Sequence, residues 1–444
     1  MLTEGLWQIA VFTLNMLKTF GSAWEVLIGF MPLLLAVELP LLLIVFTGII
    51  RWFFLQSQQP IQIPRYPSVS CICTCYSEGE GVVGTFLSVL EQTYPGKIEI
   101  IAVIDGASKN IDTFHAAQRF QDRMPSKFNR KFILLPKWQR GGRVSALNSG
   151  LSVATGEIVM ALDGDTSFDN DMVGRALLHF SDPTVPAVAG ALRVRNLNKS
   201  LATRMQGLEY MLSMQSGKTG MSSWNLVNNI SGAFGIFRRD FLLKIGGWNT
   251  HTAEDLDLTM RIRAYATRFK AFHIPFEPHA VGHTDVPESY RVLFQQRLRW
   301  DGDLLFIYLR KHWPSLTPRL MGWRAYLFIL VYGVLQNILL PLLVTGYTLW
   351  LLFSYPLSFV VVVNILLYFV YLILSTIMFI THVLLVSERP LDDLKMAIWL
   401  PFYPLHSMLM RYWSAFAMLS ELFLRSHEET GMAPWWVIRR GIRF

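Results

Sequence analysis

Charge is scarce in this sequence. Only 16% of its 444 residues are Asp, Glu, Lys or Arg, while 52% are hydrophobic, and soluble domains usually carry about a quarter charged residues. With a mean hydropathy of +0.34, a wholly soluble chain is excluded. The length still admits one soluble domain beside several membrane spans, at roughly 100–200 residues per domain. Cysteine is nearly absent, with Cys71, Cys73 and Cys75 as its three representatives. On a strand all three point to one face, so they cannot staple distant segments. No second cluster of Cys or His joins them as a metal site, and they read as core residues in a reducing compartment. A single basic block is also missing. The net charge of +8 sits at the edges of apolar runs and in the middle segment, which suits lipid headgroups and a diphosphate ligand rather than nucleic acid.

Long apolar runs are present instead. Val26 to Phe54 exceeds the ~20 residues needed to cross a bilayer and has no small-residue cleavage site, so residues 26–55 are expected to span. Within residues 1–25, Leu6 to Phe20 is interrupted by Asn15 and Lys18 and predicts an interfacial helix, with a second span left open. Over residues 56–287, β-branched runs alternate with amphipathic helical patterns. Strands are expected at Ser68–Thr74, Ile98–Ile104, Lys131–Leu135 and Glu157–Leu162. This alternation predicts a mostly parallel, helix-covered sheet that binds ligands at the carboxyl ends of its strands. Residues 288–322 predict amphipathic interface helices, residues 323–424 a membrane region and residues 425–444 a basic tail. The membrane region holds three runs, Ala325–Phe353, Leu357–Val386 and Met396–Leu424; the last contains Pro401, Pro404, His406 and Arg411 and is expected to be re-entrant or interfacial. Arg51, Arg310, Lys311, Arg319 and Arg324 place the soluble domain in the cytosol and the Tyr355–Pro356 turn outside.

Acceptor groups gather at the expected strand ends. Thr74, Tyr76 and Glu78 follow the first strand and Asp105-Gly106 ends the second, a setting suited to a uridine nucleotide, with a plain turn as the alternative for Asp-Gly. Asp163-Gly164-Asp165 ends an apolar strand. Two carboxylates so close repel unless a cation lies between them, and a hard divalent ion such as Mg2+ or Mn2+ bridging a diphosphate satisfies them. Glu254-Asp255 opens a helical stretch. Acidic residues there favour the helix dipole, and Asp255 is also the candidate general base for a sugar hydroxyl. Gln296, Arg299 and Trp300 share one helical face at i, i+3 and i+4, offering an aromatic platform beside hydroxyl- or phosphate-binding groups, or else an interfacial anchor.

In this order the residues Asp105, Asp163-x-Asp165, Glu254-Asp255 and Gln296-x-x-Arg299-Trp300 resemble the processive family 2 glycosyltransferases of GT-A fold. That group contains cellulose, hyaluronan, chitin and poly-N-acetylglucosamine synthases. The resemblance covers about Ser68 to Asp303, and Val286-Pro287-Glu288-Ser289 leading into the Gln296 motif looks most like the poly-β-1,6-N-acetylglucosamine synthases. It implies a GT-A domain inserted between transmembrane helices of a bacterial inner-membrane protein. It also implies inverting transfer from UDP-N-acetylglucosamine or UDP-glucose to a growing polysaccharide that crosses the membrane, with accessory subunits and without nucleic acid. Thr74, Tyr76, Glu78, Asp105, Arg143 and Asp163 would bind the donor, and Asp163 with Asp165 the metal. Asp255, beside Glu254, would be the base, and Gln296, Arg299 and Trp300 would contact acceptor and pyrophosphate. Thr74, Ser77, Ala107 and Arg143 stand where the family usually has Pro, Asn, Ser and Lys. The cellulose synthases' gating-loop motif and cyclic-di-GMP-binding domain have no clear copy. Trp435, Trp436, Arg439 and Arg440 are expected to close over a nucleotide or anchor the tail. Competing readings are a non-processive enzyme with a ceramide or polyprenyl-phosphate acceptor and a non-catalytic membrane scaffold or receptor. For a polymer channel, Tyr326, Tyr332, Gln336, Asn337, Tyr347, Trp350, Asn364, Tyr368 and Tyr371 are the polar and aromatic candidates within the apolar runs.

Overall fold

Apolar, β-branched runs bounded by Gly, Pro and Asp become the central strands because they can be buried on both faces. In the computed structural model these are β1 (Val69–Cys75), β2 (Ile98–Asp105) and β4 (Ile158–Asp163), and a fourth run forms the half-buried edge strand β3 (Arg130–Lys137) beside β2; all four are mutually parallel and within a residue or two of the expected limits. The structure describes residues 34–56, 65–124, 129–266 and 272–424, together with Val11, Asn15, Lys18 and Glu25. The expected helix at Leu6–Phe20, the first part of the Val26–Phe54 run and the tail from residue 425 lie largely or wholly outside the described residues.

Four further strands, β5 (Ser167–Phe168), β6 (Ala187–Val194), β7 (Phe234–Arg238) and β8 (Phe276–Thr284), complete an eight-stranded sheet of order β3-β2-β1-β4-β7-β6-β8-β5. β7 runs antiparallel between β4 and β6, so the sheet is mixed beyond its parallel half. Every residue of β1 is buried. Cys71, Cys73 and Cys75 face one core layer while Ile72 faces the other, and burial pushes the Cys71 thiol up to about 12. They are inert packing groups, as the period-2 pattern requires.

The helices that position the site are α1 (Leu39–Gln56), α2 (Arg143–Val153), α3 (Lys218–Ser223), α4 (Glu254–Ala266), α5 (Tyr290–Leu305), α6 (Trp323–Ser354), α7 (Leu357–Val386) and α8 (Tyr403–Leu424). Three helices among the described residues are long and apolar enough to cross a membrane: Ala36–Gln56, which contains α1, then α6 and α7. The Met396–Leu424 run is not one continuous helix. Pro401 lies in a 3-10 segment, Lys395–Phe402, and α8 follows. Trp413 stacks on Phe294 of α5 at 4.6 Å and donates its indole N–H to the Phe294 carbonyl at 2.8 Å, while Tyr290 Oη lies 3.1 Å from His406 Nδ1. His406 and Trp413 of this run are therefore spent on contacts with α5, whereas Arg411 pairs with Glu38 and donates to Tyr371 Oη at 2.8 Å.

The soluble domain and the spans meet at small residues. A Cβ on Gly220 of α3 would lie 2.2 Å from the Val45 carbonyl oxygen, and one on Gly48 would lie 2.1 Å from that of Gly220. Only glycine permits so close a crossing of α1 over α3.

Candidate active site

The carboxyl ends of the parallel strands open into a cavity of about 900 Å3, large enough for a nucleotide sugar and part of an acceptor. Register fixes its first wall. Thr74 pairs with Asp163 across β1 and β4, which sets the two side chains next to each other. Gly164 follows where a Cβ would lie 2.9 Å from the Thr74 carbonyl oxygen, so the turn that presents Asp165 needs glycine. Asp165 opens onto the cavity, and partial desolvation together with Asp163 raises its carboxyl above the ordinary range. Glu78, largely buried beside the same pair, is pushed up to about 7, chiefly by burial.

Asp105, at the end of β2, also lines the cavity, but its oxygens are engaged. Oδ1 accepts from Lys137 Nζ and Gly141 N at 2.9 Å each, and Oδ2 from Gly142 N at 2.8 Å. The carboxylate thus holds the turn that starts α2, satisfying amides that a helix N-terminus leaves unpaired. Gly142, at φ 80°, makes this turn possible. Tyr76 lies at the mouth with the Arg140 guanidinium 4.0 Å above its ring. Ser77, next to it, holds a left-handed φ of 75° and donates its N–H to Asn110 Oδ1 at 3.0 Å.

Arg143, the first residue of α2, ties the walls together. It pairs with Asp163 through Nη1, with Glu254 Oε1 through Nε at 2.6 Å, and donates through Nη2 to the Gly232 carbonyl at 2.6 Å. The two carboxylates hold the guanidinium charged despite its burial and raise its pKa. Burial raises the Glu254 carboxyl, against the pull of Arg143. Glu254 and Asp255 enter the cavity at the start of α4, immediately after Ala253, whose φ of 43° is strained for a residue with a Cβ. Asp255 Oδ2 accepts from Asn229 Nδ2 at 3.0 Å and Gly232 N at 3.1 Å, and Oδ1 from the Leu256 N–H at 2.7 Å. Its oxygens retain lone pairs for a further proton.

Gln296, Arg299 and Trp300 line the opposite wall from one face of α5. Asp303 continues that face one turn on. It is hydrogen-bonded to Thr252 Oγ1, and burial pushes its carboxyl up to about 8. Between them Arg297 donates through Nη2 to both Glu209 carboxylate oxygens, at 2.7 and 2.8 Å, and its guanidinium lies 4.8 Å from the Trp300 ring. Every residue expected to act in the site therefore lines this one cavity. Asn229, Lys218, Asn228 and Asp303 join them without having been anticipated; Asp303 alone had a sequence signal, at i+7 from Gln296. Lys218 lies half-buried in the wall, where desolvation lowers its ammonium to about 8 against the influence of Asp255.

Comparison with known proteins bears on the fold and the family of the soluble domain. Residues 70–246 match the profile of glycosyl transferase family 2. The chain carries a family 2 glycosyltransferase domain. The chain is 32% identical over 272 residues to a poly-beta-1,6-N-acetyl-D-glucosamine synthase of Staphylococcus epidermidis, covering 61% of each chain. A synthase of the same name from Staphylococcus aureus is 29% identical over 296 residues, covering 66% of this chain and 67% of that one. The chain thus spans about 61% of the length of the first of these relatives. A mannosyltransferase from Pyrobaculum calidifontis, solved with GDP-mannose and Mn2+, superposes with a TM-score of 0.51 at 19% identity, over 88% of this chain and 99% of that one. The fold of the family 2 domain is GT-A.

Among the described residues no three or more of His, Cys, Asp and Glu are grouped as a metal site. The pair Asp163 and Asp165 still fits a divalent cation, because a hard ion of this kind commonly takes one or two carboxylates and completes its shell with phosphate oxygens and water. Burial first, and the neighbouring Asp163 second, raise the Asp165 carboxyl, so a cation at the pair would favour its charged form.

Proposed function

We propose that this protein is an inverting, processive polysaccharide synthase. It polymerises UDP-N-acetylglucosamine or UDP-glucose into a β-linked exopolysaccharide and passes the product across a bacterial inner membrane, with its GT-A domain in the cytosol. The observation that carries this reading is one cavity in which Asp163, Asp165, Asp255 and the Gln296, Arg299, Trp300 face converge, while Tyr332, Gln336 and Asn337 of the membrane helix α6 form part of its lining. A donor site that opens onto a span suits a growing chain that leaves through the bilayer.

Thr74, Tyr76 and Glu78 receive the nucleoside, and Asp105 holds the Gly141–Arg143 turn beneath it. Asp163 and Asp165 would hold Mg2+ or Mn2+, which when bound neutralises the diphosphate of the donor and of the leaving UDP. Arg143, paired with Asp163, gives the diphosphate a second positive charge beside the same carboxylate. The acceptor sugar stacks on Trp300, with Gln296 and Arg299 at its hydroxyls and at the pyrophosphate. Its hydroxyl loses a proton to Asp255 as its oxygen bonds to the anomeric carbon, and the bond from that carbon to the diphosphate oxygen breaks. One displacement inverts the configuration. Asn229 and the Gly232 amide hold Asp255 in place for this step.

The test is conversion of labelled UDP-glucose and UDP-N-acetylglucosamine by membranes containing the full chain or its Asp255→Asn variant, with divalent metal, the product being sized on a gel. High-mass product lost in the variant is expected. A single mono-glycosylated lipid would replace this reading with transfer to a lipid acceptor, and no turnover of either donor by the wild type would overturn it.

A further inference from the structure

The residue before Glu254 holds a backbone conformation that its own side chain opposes. Ala253 has φ 43°, which glycine adopts freely and alanine does not. Such strain persists where the surroundings over-determine it. Contacts on both sides of Ala253 supply that constraint. Thr252 donates its hydroxyl to Asp303 Oδ1, and Thr250 Oγ1 accepts from Lys311 Nζ. Asp257, whose N–H donates to the Ala253 carbonyl at 3.0 Å, is met by Lys311 Nζ and by His312 Nε2 at 2.8 Å each. Arg261 Nε joins it at 2.9 Å from within α4. Asp257 is fully buried. Burial works against its charge, yet His312 and the cations Arg261 and Lys311 hold its carboxyl well below the usual range. Apolar contacts follow the same line, with Ala253, Leu256 and Met260 packed in one cluster with Leu305, Ile307 and Tyr308.

Asp303, Lys311 and His312 belong to one continuous stretch, α5 with its π-helical continuation Phe306–Lys311 and the residue that ends it. The same helix carries Gln296, Arg299 and Trp300 into the cavity. The loop that leads into Asp255 is therefore held from the helix that forms the acceptor wall, while Asn229 and the Gly232 amide hold the carboxylate itself. We propose that Thr252 and Asp303 are positioning residues, a latch that keeps Ala253 in its strained conformation and so sets the distance from the Asp255 carboxylate to the acceptor helix. They act through Asp255 and not on the reacting atoms. With the latch open, Ala253 relaxes to negative φ, the start of α4 changes direction and Asp255 moves relative to Trp300. A displacement of about 1 Å from a reactive geometry costs about 10²-fold in rate. The latch rests on the synthase reading and adds to it what fixes the base against the acceptor.

The experiment uses membranes containing the full chain, UDP-N-acetylglucosamine and UDP-glucose as donors, and rates normalised to the amount of chain. Thr252→Val keeps the shape of the side chain and removes its hydroxyl. It is expected to lower kcat by about tenfold or more while the donor KM stays within about twofold. Thr252→Ser, which keeps the hydroxyl, should remain near wild type. Ala253→Gly removes the strain. Alone it should leave kcat near wild type, and combined with Thr252→Val it should recover most of the lost kcat, a coupling that two independent sites do not show. Asp303→Leu breaks the same contact from the other side and should be recovered by Ala253→Gly in the same way. The latch is overturned by a Thr252→Val chain with the kcat of the wild type, by a loss that falls on the donor KM, or by losses that Ala253→Gly recovers in neither pair. An inactive Asp255→Asn beside a fully active Thr252→Val sinks the latch alone, whereas transfer that survives Asp255→Asn sinks the base assignment beneath it.

Discussion

One wall of the cavity is the edge of a sheet and the other is partly a membrane helix. The sheet edge presents Asp163, Asp165 and Glu78 with Arg143 across them, whereas α6 presents a phenol and two amides, Tyr332, Gln336 and Asn337. Charge is tolerated at the sheet edge because Arg143 and backbone N–H groups stand opposite it. The helix wall adjoins apolar spans, where an isolated charge is costly and a neutral amide is not. The two walls therefore differ in chemistry: one is charged and the other is neutral and polar.

The largest effect expected on the sheet side is that of Asp255→Asn, which should lower transfer by at least ~10²-fold in the product assay, since a positioned base supplies about 10²–10⁴. Residual activity near wild type would remove Asp255 from the base role. Arg143→Leu leaves Asp163 and Glu254 facing each other without their shared cation. Removing one partner of a buried pair costs about 3–5 kcal/mol, so its thermal unfolding midpoint in detergent should fall well below that of the wild type. An unchanged midpoint would mean that the two carboxylates do not depend on this cation.

On the helix side, Tyr332→Leu with Asn337→Leu should shorten the polymer. Asn364→Leu with Tyr368→Leu should not, because Asn364 donates to the Val360 carbonyl at 2.9 Å and Tyr368 to the Pro401 carbonyl at 3.1 Å, away from the cavity lining. Equal shortening by both pairs would erase the distinction between cavity-facing and packing residues. A further effect concerns pH. Because Asp303 titrates near 8 when folded, against 3.8 unperturbed, the folded protein binds the extra proton in that interval. Its contribution to stability therefore falls as pH rises from about 4 to 8, by at most ~1.4 kcal/mol per pH unit. Asp303→Asn should flatten that slope in unfolding measurements across this range, and an unaltered slope would assign it to other groups.

Much of the sheet-edge wall was legible beforehand. Strand periodicity located β1 to β4 to within a residue or two, and their ends located Thr74, Asp105 and Asp163. Helical spacing placed Gln296, Arg299 and Trp300 on one face. The antiparallel β7 was not legible, because a five-residue apolar run has no direction until it finds neighbours. Nor was the engagement of Asp105 by Gly141 and Gly142, nor the docking of α8 on α5. Of the candidate channel residues, only Tyr332, Gln336 and Asn337 line the cavity, while Tyr371 bonds Glu38 Oε2 at 2.9 Å, beside the Arg411–Glu38 pair.

The sequence by itself determined which segments are apolar enough to span, which run as strands and where carboxylates sit at strand ends, because each depends on periodicity and local chemistry. Which carboxylate meets Arg143, and which side chains of α5 and its continuation meet Thr252 and Asp257, was decided by the tertiary structure. Those pairings join residues more than 20 positions apart or on different elements, and burial fixes their energies only once the walls have come together.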